Sequence, residues 1–254
     1  MDLQLSGKLA LITGGSQGIG LAIAEQLADE GVNLILAARN LETLKQARQA
    51  LVARYPVSVS IFATDLGLEP NVQNLAAQYP DIDILVNNAG AIGPGSLEEV
   101  DGATWRSYWD LKVFGYINLT RAYYLLMKER RRGVIVNIIG AAGERPDPAY
   151  IAGSTANAAL IAFTKALGSA STAHGVRVVG LNPGPVLTEK LKRSLRHRAA
   201  RELGEAERWP ELTVSMPFGR TIRPIEVSAM VAMLASELSG YISGTTITID
   251  GGRR

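Results

Sequence analysis

Short apolar runs alternate along the chain with longer stretches in which apolar residues recur every three or four positions. The first run, Leu9-Ala10-Leu11-Ile12, leads through a glycine-rich joint into Leu21-Ala22-Ile23-Ala24-Glu25-Gln26-Leu27-Ala28. A continuous apolar run suits a strand buried on both faces, and the spacing after the joint is that of an amphipathic helix. Gly31 reads as the helix stop, and residues 32–38 are the second apolar run. Helical spacing returns over 41–55. Further strands are predicted over 57–63, 82–86, 134–139, 176–181 and 245–249. Further helices are predicted over 104–132, ended by Gly133, over the alanine-rich 156–173, and over 224–236. Residues 187–218 show no sustained period and read as irregular. Strands alternating with helices imply an α/β fold, a doubly wound parallel sheet of seven strands with helices on both faces. No repeat or linker divides residues 1–254, so one domain is expected, with a variable segment at about 187–218.

Composition narrows the chemistry. With 47% hydrophobic and 20% charged residues, 254 residues can bury a full core. A net charge of +2 gives no footprint for nucleic acid. The absence of cysteine removes disulfides and thiolate chemistry, and the two histidines, His174 and His197, stand far apart, so no metal site is expected. No apolar run is long enough to span a membrane, and Met1-Asp2-Leu3-Gln4 is not a secretory leader. A cytoplasmic location is expected.

The joint reads Thr13-Gly14-Gly15-Ser16-Gln17-Gly18-Ile19-Gly20, a G-x-x-x-G-x-G spacing between strand and helix. A side chain at Gly14 or Gly18 would hold the backbone away from a phosphate, and Gly20 lets the helix pack closely. Free N–H groups and the helix dipole suit a pyrophosphate there; the alternative is a plain turn. The second strand ends in Ala38-Arg39. An acid in that place would bind a ribose 2′-hydroxyl, whereas a guanidinium pairs with a 2′-phosphate, so NADP(H) is favoured over NAD(H). Asp65, after the third strand, is placed to accept from an adenine amino group, or else to lead the helix near Pro70. Asn87-Asn88-Ala89-Gly90 follows the fourth strand, Asn182-Pro183-Gly184-Pro185-Val186-Leu187-Thr188 the sixth, and the last strand runs into Asp250-Gly251-Gly252.

These segments, in this order and at this spacing, resemble the short-chain dehydrogenase/reductase family over essentially the whole chain. The resemblance implies a single Rossmann-like domain, a nicotinamide cofactor, a small-molecule substrate and a homodimer or homotetramer. It places Gly14, Gly18 and Gly20 at the pyrophosphate, Asn88, Ala89 and Gly90 beside the adenosine half and Thr188 near the carboxamide. Ser16, Gln17, Ile19, Asp65, Leu66, Pro183, Gly184, Val186 and Asn157 are counted with them as cofactor-binding residues.

The family's chemistry uses an Asn, a Ser and a Tyr-x-x-x-Lys pair. The Tyr exchanges the proton, and the Lys lowers its pKa and holds the nicotinamide ribose. Counting from Asn137, Gly143 and Phe163-Thr164-Lys165, the Ser, Tyr and Lys slots fall on Gly140, Gly153 and Asn157. The Asn slot, two residues beyond Asp110, is Lys112. This makes the chain an atypical member by resemblance. Lys112 can polarise a carbonyl, or is a surface charge; Asn157 can bond a ribose hydroxyl. Tyr150 is the nearest phenol, or a packing residue after Pro148. Glu144, Arg145 and Asp147 read as solvated residues at the crevice mouth, with an acid or base among them as the alternative.

Lys190, Lys192, Arg193, Arg196, Arg198 and Arg201 give the 187–218 segment a basic stretch. It is either a solvated helix face offset by Glu202, Glu205 and Glu207, or a lure for an acidic substrate. Three functions remain open: an NADP(H)-dependent oxidoreductase with a relocated proton donor, a cofactor-binding sensor or oligomer partner without turnover, and a lyase or isomerase using the enlarged pocket.

Overall fold

A computed structural model describes residues 1–90 and 92–252. Seven strands, β1 (Leu9–Thr13), β2 (Asn33–Ala38), β3 (Val59–Ala63), β4 (Ile84–Asn87), β5 (Gly133–Ile138), β6 (Val176–Pro183) and β7 (Thr245–Ile249), form one sheet in the order β3-β2-β1-β4-β5-β6-β7. Every pairing is parallel. The order reverses between β1 and β4, so the crevice at their carboxyl ends is the place where an α/β sheet binds ligands.

The pleat divides the core in two, because successive strand residues point to opposite faces. Ile12, Leu34 and Leu36 pack on one face with α1 (Gly18–Asp29) and α8 (Pro224–Ala235). Leu11, Ile35 and Leu85 pack on the other with α3 (Glu69–Gln78) and α5 (Gly115–Arg130). Each fully buried Leu or Ile contributes roughly 1.5–3 kcal/mol. α2 (Leu41–Arg54) starts on Asn40, whose side chain accepts from Thr43 N. Among the described residues, no helix is long and apolar enough to cross a membrane.

Several predicted elements change. The 104–132 helix is three pieces: α4 (Gly102–Trp109), one π-helical turn over Asp110–Phe114, and α5. Arg131, at φ 55°, caps α5 in the left-handed conformation; Gly133 instead opens β5. Helix α6 (Ile151–Ser171) begins five residues before the predicted 156, which puts Gly153 inside it and Tyr150 at its N-cap. The 187–218 segment is not irregular. It holds α7 (Glu189–Leu203), capped by Thr188, and a 3-10 stretch over Ala206–Thr213. Its charged face masked the period: only Leu195 and Ala199 of α7 are buried. Helix α3 was not predicted, and its N-cap is Leu68 rather than Asp65.

Candidate functional site

The glycine joint sits at the carboxyl end of β1. Gly14 and Gly18 have φ of 65° and 59°, the left-handed region in which a Cβ is strained. Gly20 serves a close approach: a Cβ there would lie 2.2 Å from the Gly14 carbonyl oxygen. Helix α1 starts without a capping side chain and without an acid in its first turn, so its leading N–H groups and dipole are left for an anion. Asn88 braces this turn from β4. Its Nδ2 donates to Thr13 O at 3.0 Å and Gly14 O at 3.4 Å, while Asn88 N and Ala89 N donate to Thr13 Oγ1 at 2.8 and 2.9 Å. Thr13, the first residue of the joint, is thus part of the site's frame, a role its place in the motif did not assign.

Other predicted cofactor residues share that edge. Arg39 follows β2 directly and is exposed; the same edge carries the Gly14 N to Ala37 O bond of 2.7 Å. Asp65 accepts from Gly67 N at 2.9 Å through Oδ1, making its own turn, with Leu66 buried beside it. Pro183 closes β6, Gly184 N donates to Ile249 O at 2.9 Å, and Val186 bridges to Ile222. The methyl of Thr188 would lie 3.4 Å from a Cβ on Gly18, so the start of α7 faces the glycine joint.

Beyond Gly90 the crevice changes character. Lys112 lies in the π turn and is only 9% exposed. Its Nζ donates to Ile138 O at 2.9 Å and Ile139 O at 3.1 Å and lies 3.4 Å from the Tyr116 hydroxyl, which itself donates to Ile138 O at 3.0 Å. Burial pushes the ammonium down to about 7, whereas its carbonyl partners favour the charged form. Lys112 is therefore not a surface charge. Its polar partners are the end of β5 and Tyr116, not Asn157. Tyr116 was missed, although it stands four residues beyond Lys112 on the same helical face.

Gly140 follows that strand end with φ 144°. A Cβ there would meet Asn157 Nδ2 at 2.7 Å. A Cβ on Gly153 would lie 2.0 Å from Cε1 and Cζ of Tyr150 and 2.5 Å from its hydroxyl. The Tyr150 ring thus fills the volume a side chain at 153 would need. It also packs with Ile92, Trp105, Tyr108 and Ala156 in a small apolar cluster. Burial, then the neighbouring Tyr108, raises its phenol pKa. Asn157 is 3% exposed and its Oδ1 has no hydrogen-bond partner.

The residues at the mouth are exposed but engaged. Glu144 accepts from Asn182 Nδ2 at 3.0 Å and Thr248 Oγ1 at 2.7 Å. Arg145 pairs with Asp250 at 3.1 Å, and Asp147 Oδ1 accepts from Ala149 N at 2.9 Å. On the basic stretch, Arg196 pairs with Glu207, and Arg198 and Arg201 with Glu202.

Comparison with known proteins agrees with this layout. A model of the family described as short chain dehydrogenase matches residues 8–199. A 3-oxoacyl-(acyl-carrier-protein) reductase of Chlamydia trachomatis is 32% identical over 98% of this chain and 98% of its own length. The NADPH-dependent reductase BacG of Bacillus subtilis is 29% identical over 98% of each chain. Among solved structures, L-sorbose reductase from Gluconobacter frateurii, complexed with NADPH and L-sorbose, superposes with a TM-score of 0.93. It is 31% identical and covers 99% of this chain and 98% of its own. With the family model spanning most of the chain on a sheet of this order, the protein belongs to the short-chain dehydrogenase family.

Proposed function

We propose that the protein is an NADP(H)-dependent carbonyl reductase in which the proton donor has moved from position 153 to Tyr150. The observation that carries this reading is the overlap at Gly153: the Tyr150 ring occupies the space of the missing side chain. Gly140, Gly153, Asn157 and Lys112 stand where the family's pattern has Ser, Tyr, Lys and Asn, so a phenol survives, one helical turn earlier in the chain. When bound, the reduced nicotinamide supplies the hydride that forms the new C–H bond at the carbonyl carbon. The carbonyl's electron pair passes to its oxygen, which takes the Tyr150 proton, and solvent reprotonates the phenolate. A phenol held protonated by burial suits the direction of reduction.

The cofactor end is supported by the bare glycine joint, the uncapped start of α1 and the exposed Arg39 after β2. Arg39 is read as the partner of a 2′-phosphate, which favours NADP(H) over NAD(H). Lys112 anchors the strand end before Gly140 through its bonds to the Ile138 and Ile139 carbonyls. The segment at 187–218 is read as the substrate lid. Four of its arginines, Arg196, Arg198, Arg201 and Arg208, are paired with glutamates, which favours a neutral substrate over an acidic one. A homodimer or homotetramer belongs to the same reading, supported by the exposed Phe114 and Leu125 at the α5 side. Titration with NADPH and NADH, followed by turnover across a carbonyl and alcohol panel, tests the proposal. Tighter NADPH binding with carbonyl reduction is expected. Binding without turnover would favour a cofactor-binding protein instead.

A further inference from the structure

We infer that the Asn157 carboxamide binds the reacting end of the substrate in place of the side chain Gly140 lacks, and that it selects carbonyls flanked by a hydroxyl. This rests on the reductase reading above. Three observations carry it. Nδ2 is the amide atom nearest the Gly140 vacancy, 2.7 Å from where a Cβ would lie, against 3.5 Å for Oδ1. The side chain is 3% exposed, and its Oδ1 is a buried acceptor without a donor. Asn157 also stands four residues beyond Gly153 on α6, so it lies on the face that carries the Tyr150 ring.

A primary carboxamide sets an NH₂ group, which donates, beside an oxygen that accepts. The Nδ2 donor is complementary to a carbonyl oxygen. The free Oδ1 acceptor is complementary to a hydroxyl hydrogen, which a plain ketone does not have. A ligand meeting both carries a hydroxyl next to its carbonyl and is reduced to a vicinal diol. The acceptor already lacks a donor in the free protein, so a hydroxylated ligand gains a hydrogen bond at a buried site that a plain ketone cannot make. At φ 144° a side chain at position 140 is strained as well as blocked by the amide.

The test uses the full chain. Turnover with NADPH is compared between acetoin and 2-butanone, and binding to the NADP+-loaded protein between 2,3-butanediol and 2-butanol. The hydroxylated member should be preferred at least about tenfold in both, and Asn157→Leu, which keeps the shape, should bring the preference within about twofold. Should Asn157→Leu fail to fold, Gly140→Ala displaces the same amide and should have the same effect. Equal treatment of the two ketones or the two alcohols by the unmodified protein overturns the inference, as does an unchanged preference in the folded variant. NADPH binding and reduction of plain ketones would survive that result, so the reductase reading would stand. Conversely, the diol preference is read by binding even where no carbonyl is turned over.

Discussion

At Gly20 a Cβ would lie 2.2 Å from the carbonyl oxygen of Gly14, and at Gly153 it would lie 2.0 Å from ring carbons of Tyr150. The two contacts are equally close but of different kinds. Around β1 the obstacle is backbone, fixed by the sheet and by Asn88, so glycine is obligatory for the turn itself. Around β5 and α6 the obstacles are side chains, Tyr150 against Gly153 and Asn157 against Gly140. There neighbouring side chains fill the space that a side chain at 153 or 140 would need, and a substitution is opposed only as far as the neighbour cannot move. The glycine joint is thus held by backbone, and the opposite end of the crevice by side-chain packing.

The comparison breaks most plainly at Gly20. Gly20→Ala should destabilise the protein by roughly 3 kcal/mol or more, because backbone cannot yield, and should abolish NADPH binding. Urea unfolding and fluorescence titration measure both. Arg39→Asp should leave folding unchanged and shift the NADPH-to-NADH affinity ratio by roughly 100-fold toward NADH, by removing a charged donor and adding repulsion. Titration with each cofactor reads this, and an unchanged ratio would remove Arg39 from the site. At the other end, Gly153→Tyr should cost about 1–3 kcal/mol by overpacking against Tyr150. Adding Tyr150→Ala should recover much of that loss, and the coupling is measured as a double-mutant cycle.

A pH dependence is expected at Lys112. Its pKa in the folded protein is depressed to about 7 from an ordinary 10.5, so between these values the unfolded chain binds more protons. Stability should therefore rise with pH through that window, by up to about 1.4 kcal/mol per pH unit, and carry no such slope below 7. Lys112→Met should lack the rise. Urea midpoints at pH 7 and 9 in both proteins check it.

Much of this was legible from sequence where one residue fixes one contact. The glycine joint, the seven strands and their parallel sheet all reappear. What was hidden depends on two residues meeting. Nothing in Pro148-Ala149-Tyr150 shows that the ring folds back over Gly153, because that requires α6 to start at Ile151. The direction of Lys112 likewise depends on the π turn, and its partners are backbone carbonyls that no side-chain motif can announce. Helix α7 was legible only as one reading of the basic stretch, a solvated helix face, because its charged residues mask its period. Glu144 looked free because its partners, Asn182 and Thr248, come from two distant strands.

Whether Tyr150 does the work of a phenol at 153 is decided by Tyr150→Phe. The ring, and with it the packing over Gly153, is kept while the proton donor is removed. On this account reduction of a carbonyl substrate by NADPH falls by about 100-fold or more, with NADPH affinity and thermal stability unchanged. Turnover equal to that of the unmodified protein would contradict it and return Tyr150 to a packing role.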